Sequence, residues 1–418
     1  MRMVSTITLG LALALSGVAV VGVQPALAAK KEKEQAGKPQ LTPAVREAVA
    51  ATQAAIGPDR NAPKDIATAV AKAGEARSAA QTPDDKFYAG SVSYDVGLAQ
   101  KDKTLQAQAL DLMLESGKVP AASLGNFWVV RGRLAYESKD YARAEQAFDQ
   151  ATKAGDSSTE SYALLVESKD KLGKPAEALA VLQEAINKAQ AAGQPLPEAY
   201  YQRGVAIGYK AKLGPQVADI TQAWLKAYPS QDNWRDSLIT YRDLNKIDAD
   251  QELDLMRLMR TAKALKGESD YYTYAEAVYL KFPGEGKAVI DEGVAAGMLK
   301  LTPNSNIKLF SDTANSRVAA DKADLAGAAA SAAKAANGVA ARATADSYLG
   351  YGEYAKAAEL YKVALQKGGV DANVVNTRLG MALARAGQKE EAKQVFSQIT
   401  GPRQGLAKYW LIWIDQQA

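Results

Sequence analysis

An all-α fold of stacked antiparallel helix pairs is what this sequence predicts, and three observations predict it. Small side chains recur at a fixed interval: Ala144 follows Ala109 by 35 positions, Ala178 follows Ala144 by 34, and Ala392 follows Ala357 by 35. Between them, apolar residues fall at i, i+3, i+4 and i+7, the period of a helix that buries one face. No stretch of useful length alternates apolar and polar residues as a half-buried strand would. A single core for all 418 residues would be unusually large, so the length also favours several units or an elongated stack.

In chain order, the first element is a targeting segment. Arg2 supplies a positive start, Val4 through Val23 form an apolar run thinned by Ser, Thr and Gly, and Ala26-Leu27-Ala28 has the small-x-small form of a cleavage site. Residues 1–28 are therefore expected to be a signal peptide, with Ala29 the first mature residue and the mature chain in a bacterial periplasm. An uncleaved anchor is the other reading, but Gly17 and Pro25 beside the Ala-x-Ala site favour cleavage. Residues 29–82 carry no repeat signature. Lys30 to Gln40 is a charged tail expected to be disordered, while 42–56 and 64–79 read as weakly helical, mobile or serving as an amino-terminal cap.

The repeat begins in earnest over 83–229. Trp128, Gly132, Tyr136, Tyr141, Ala144, Phe148 and Ala151 place a bulky residue, a small one, an aromatic pair, then Ala, a bulky residue and Ala along one stretch. Tyr162, Leu165, Gly173, Ala178, Leu182 and Ala185 repeat the order, and Gly97, Ala109 and Met113 anticipate it. Two helices joined by a short turn approach closely only where small residues meet, here Gly132 and Ala144, with Trp128 and Phe148 filling the flanks. Asp140, Gly173, Gly352 and Gly387 mark the turns. This arrangement resembles the tetratricopeptide repeat family, whose unit is a helical hairpin of about 34 residues and whose stacked units bury a common core. The resemblance implies a right-handed superhelical α-solenoid.

Beyond the second clear hairpin the pattern weakens. Glu198 to Pro229 keeps Tyr200, Gly204, Trp224 and Ala227, but Gly204 to Trp224 is 20 positions where Gly132 to Phe148 is 16, so a distorted hairpin is expected. Over 230–303, four helical segments broken by Asp248, Gly267 and Pro283 suggest two degenerate pairs. Residues 304–344 read as a hinge, from Asn304 to Ala323, followed by an Ala-rich helix from Leu325 to Ala343, either the first helix of the Tyr348 hairpin or an extended connector. Over 345–400, Tyr348, Gly352, Tyr354, Ala357, Tyr361 and Ala364, then Leu379, Gly380, Leu383, Gly387, Ala392 and Phe396, restore the family signature as a carboxyl-terminal pair. In 401–418, Leu406, Tyr409, Trp410 and Trp413 share a helical face, expected to be a cap closing the last repeat, with an exposed binding patch as the alternative.

Composition bounds the chemistry. The chain has no Cys and no His, which removes disulfides, lipid-anchoring thiols, His-based metal sites and Ser-His or Cys-His machinery. Lys and Arg number 51 against 47 Asp and Glu, so neither nucleic acid nor an anionic membrane is indicated as a partner. Ser331-Ala332-Ala333-Lys334 has the Ser-x-x-Lys form of penicillin-binding enzymes, but no Lys-Thr-Gly accompanies it. Gly350 to Ala355 mimics a dinucleotide loop without the strand that loop requires, and Asp248-Ala249-Asp250 lacks the Gly and Glu of a calcium loop. No catalytic residue, cofactor or metal is expected.

Function is then expected to be binding in the concave groove lined by each hairpin's first helix. Counted from Trp128, the family resemblance implies that Val129, Arg133, Tyr136 and Glu137 point into it, with Glu167 and Asp170 beside Ala163 and Lys171 in the next hairpin, and Tyr201 and Tyr209 in the one after. The Lys and Asn clamp of the chaperone-binding members is not reproduced, since Val129 with Arg133 is followed by Ala163 with Glu167. The mixture of tyrosine with both charge signs suits an amphipathic peptide or a glycan-like partner. The expected role is a scaffold or adaptor holding a protein or peptide in a cell-envelope complex. The alternatives are a carboxylate-based enzyme acting on peptidoglycan or another glycan, and a self-associating structural protein.

Overall fold

The computed structural model describes residues 39–417, and among these every regular element is helical. The signal segment 1–28 and most of the charged tail lie outside the described residues. The helices fall into two units that divide between Ala185 and Ile186.

The first unit holds α1 (Pro43–Ile56), α2 (Ile66–Ala79), α3 (Pro83–Ala99), α4 (Lys103–Glu115), α5 (Ala121–Glu137), α6 (Tyr141–Lys153) and α7 (Thr159–Lys171), with α8 (Pro175–Ala191) crossing the division. Helices pair in sequence, α1 with α2, α3 with α4 and α5 with α6, and each pair packs on the next. Such nearest-neighbour packing is what an array built from one repeated hairpin requires. The segments 42–56 and 64–79 are helices whose Val45, Val49, Ala69, Ala73 and Ala76 share a core with Ala89, Val92 and Val96 of α3. Gln40 and Thr42 donate their backbone N–H groups to Asp84 and Asp85 at 2.8 and 2.9 Å, which ties the amino-terminal end of α1 to the start of α3.

The crossing of α5 and α6 is built as the small-residue spacing requires. Ala144 is fully buried, and a methyl group at Gly132 would lie 2.8 Å from the Phe148 ring. Trp128 is half-buried against the same cluster, and Phe127, one position earlier, is buried in the preceding one. Ala144→Leu is expected to overpack this crossing and cost roughly 1–3 kcal/mol, read as a lowered unfolding midpoint in denaturant. An unchanged midpoint would remove Ala144 from the contact.

The turns repeat one geometry. Gly173, Gly352 and Gly387 adopt φ of +73°, +76° and +81°, the left-handed conformation that glycine takes without strain. In the α5–α6 turn this place belongs to Lys139, with φ +64°. Asp140 instead caps α6, its carboxylate accepting the Arg143 N–H at 3.1 Å. A backbone hydrogen bond of 2.9 Å closes each turn alike, Asp140 N–H to Ala135 and Lys174 N–H to Lys169 among them.

The second unit contains α9 (Glu198–Lys210), α10 (Gly214–Ala227), α11 (Gln231–Leu244), α12 (Ala249–Thr261), α13 (Gly267–Val278), α14 (Pro283–Ala295), α15 (Asn306–Lys334), α16 (Val339–Gly350), α17 (Tyr354–Lys367), α18 (Ala372–Arg385), α19 (Lys389–Ser397) and α20 (Gln404–Asp415). Two expectations change here. The α9–α10 hairpin is regular, with left-handed Lys212 at its turn. Trp224 follows Lys212 by 12 positions, as Ala151 follows Lys139 and Ala185 follows Gly173, so it occupies the small-residue place and displaced the count from Gly204. The Trp224 indole is buried and donates to Glu198 at 2.9 Å. The hinge from Asn304 to Ala323 is the first part of α15, a single helix of 29 residues. The Ala-rich stretch breaks at Ala335–Gly338, where a methyl at Gly338 would stand 2.2 Å from the Ala364 carbonyl oxygen, and restarts as α16, first helix of the Tyr348 hairpin.

A second feature goes beyond nearest-neighbour stacking. Helix α20 packs on α10 as well as on α18 and α19, and one core joins Leu225, Leu238, Leu255 and Leu258 to Tyr361, Phe396, Tyr409 and Trp410. The Tyr409 and Thr221 hydroxyls lie 2.6 Å apart, Gln416 donates to the Leu225 carbonyl at 2.8 Å, and Gln251 to that of Pro402 at 3.0 Å. The last repeats thus return to the helices that open this unit. Tyr409 and Trp410 are fully buried, so the aromatic helix is a closing element and not an exposed patch.

Candidate functional site

Of the expected groove residues, two belong to the core. Val129 is 5% exposed and shares a cluster with Ala135, Ala144, Phe148 and Leu165. It lies between its own hairpin and the first helix of the next, so it cannot line a groove. Tyr201 is fully buried with its ring edge-on to Tyr228 at 6.0 Å. The periodicity of a first helix marks its faces, but both flanks of that helix are covered by neighbours, which narrows the open strip.

The remaining first-unit positions form such a strip. Arg133 donates to Glu160 of α7 at 2.6 Å and so bridges two successive first helices. Tyr136 packs edge-on to Tyr141 at 5.5 Å, and exposed Glu137 pairs with Lys103 at 2.7 Å. Glu167 and Asp170 are half-exposed on α7. In the second unit Tyr209 is 48% exposed.

Also in the first unit, Asp95 of α3 sits 3.1 Å from Arg60 and is only 16% exposed. Burial pushes its carboxyl up to about 6 against the opposing pull of Arg60. Because the folded value lies above the unfolded one, the native state prefers the protonated acid. Stability from this group is complete below about pH 4 and is lost as pH rises through about 6. Asp95→Asn is expected to abolish that slope and to gain about 2 kcal/mol relative to the parent at pH 8. Denaturant unfolding of both chains at pH 4, 6 and 8 checks this, and parallel pH profiles would contradict it.

The second unit holds an open-sided cavity of about 130 Å³. Its walls come from α12, α13, α14, the α16–α17 turn, α18 and α20, and include Arg257, Arg260, Thr261, Tyr274, Glu285 and Trp410. The α16–α17 turn reaches it because glycine leaves room: a methyl at Gly284 would fall 2.3 Å from the Tyr351 ring.

Behind this cavity lies a buried ionic network. Arg257 grips Glu285 through two bonds of 2.8 and 2.7 Å and donates to Asp254 at 2.9 Å. Asp254, fully buried, also accepts from Arg378 at 3.0 Å and from Arg403 at 2.6 Å. Arg378 continues to Asp346 at 2.9 Å, which accepts the Tyr361 hydroxyl at 2.6 Å, and the Tyr274 hydroxyl donates to Glu285 at 2.6 Å. Burial opposes ionisation of Asp254, but Arg378, Arg257 and Arg403 overcome it and hold the carboxyl below its ordinary value. Glu285 likewise resists its burial and is held low by Arg257 and Tyr274. The arginines at 257, 378 and 403 and the carboxylates at 254, 285 and 346 therefore form a charge-balanced set, with one Nη each of Arg378 and Arg403 making no hydrogen bond, that ties α12 to α14, α16, α18 and the approach to α20.

Sequence reasoning did not find this set. Its one local signal is ionic residues inside apolar stripes, Asp254 between Leu253 and Leu255, and Arg378 beside Leu379. The motifs set aside on sequence grounds occupy structural positions. Ser331 is exposed on α15, Gly350 ends α16, and Asp248 caps α12 through a 2.7 Å bond from the Gln251 N–H. Among the described residues, no cluster of His, Cys, Asp or Glu could hold a metal ion, and no helix is long and apolar enough to cross a membrane.

No protein-family model matches the chain, and no curated protein matches it. Similar solved structures include a complex described as Naa15/Naa10 bound to HypK-THB, at 14% identity over 82% of this chain and 62% of that one, with a TM-score of 0.25. They also include the APC/C hetero-tetramer Cut9–Hcn1, at 12% identity over 79% and 67% with a TM-score of 0.25, and yeast Tom70, at 11% over 84% and 85% with 0.22. The chain thus spans under two thirds of the length of the first of these. At such TM-scores the likeness reaches no particular residue or partner.

Proposed function

We propose that this protein is an exported, non-catalytic scaffold that holds a protein or peptide partner in a cell-envelope complex, probed most directly at the strip of α5 and α7. The observation that carries this reading is the Arg133–Glu160 bridge, which fixes two successive first helices so that Tyr136, Glu137, Glu167 and Asp170 stand on adjoining helices. Aromatic bulk with both charge signs on a preorganised surface suits an amphipathic chain, whose ordering cost a rigid receptor does not add to. The Ala26-Leu27-Ala28 site supports export to the periplasm.

The test combines location and contact. A reporter fused after residue 418 should be active only outside the cytoplasm, and a photo-crosslinker replacing Tyr136 should capture one envelope protein that the same crosslinker at Lys153, on α6, does not. Equal capture at both places would defeat the strip as a binding surface. Clearing of peptidoglycan by the purified mature chain would favour the glycan-active enzyme instead.

A further inference from the structure

We draw no further inference here: the strongest candidate, the outward face of α15 where Ser316, Ala320, Ala323, Gly327 and Ala330 lie exposed, is a stripe of small residues, and nothing in the structure shows what covers it.

Discussion

Replacing Asp254 by alanine is expected to destabilise the second unit by about 3–5 kcal/mol, the range for breaking a buried ion pair from one side. The effect should sit at the upper end because one carboxylate answers Arg257, Arg378 and Arg403 together. Its loss leaves three guanidinium groups to share Glu285 and Asp346 in a region closed to water. The pH dependence follows from the sign of the shift. Asp254 is held below its ordinary value, so its contribution is complete above about pH 4 and is lost as pH falls through the depressed value. The parent unit should therefore resist mild acid, and the variant should be equally weakened from pH 5 to pH 8. Denaturant unfolding across that range measures both, and a loss under 1 kcal/mol would show that the network is not what closes the unit.

Trp410→Ala is expected to cost a further comparable amount, about 3–5 kcal/mol, as for other fully buried tryptophans. The Trp410 ring stacks on Phe396 with centroids 5.8 Å apart and meets Trp413 edge-on at 5.6 Å. Phe396 in turn lies over Gly380, where a methyl would be 2.7 Å from the ring. Truncating the indole would therefore open a cavity on the inner side of the closing helix and loosen the α18–α19 hairpin beneath it. Calorimetry should show a lower midpoint with increased binding of an apolar dye. A variant that melts as the parent does would return this helix to the status of a surface patch.

These two residues separate what local pattern carries from what it does not. Gly132, Ala144 and Phe148, and again Gly380, Ala392 and Phe396, were legible because a hairpin crossing involves side chains 12 to 16 positions apart on consecutive helices. The turn was legible where glycine marks it and obscure where Lys139 and Lys212 take the left-handed place at the modest cost a non-glycine residue bears there. The regularity of the α9–α10 hairpin is obscured in the sequence because Trp224 stands where its siblings have alanine. Val129 and Tyr201 are buried and not in the groove because a family position names a helix face, whereas burial depends on how closely the next hairpin approaches.

By itself, then, the sequence determined the all-helical class, the pairing of consecutive helices and the places where they cross, since each depends on spacing within one or two hairpins. Only the tertiary structure decided that α18 and α20 return to α10 and α12, and hence that Arg378 meets Asp254 across 124 positions and Arg403 meets it across 149. The physical reason is that such a return depends on the accumulated rotation of many packed helices, including the 29 residues of α15, and small differences at each crossing add up over that distance. The open-sided cavity is a product of that closure and has no signature shorter than the closure itself.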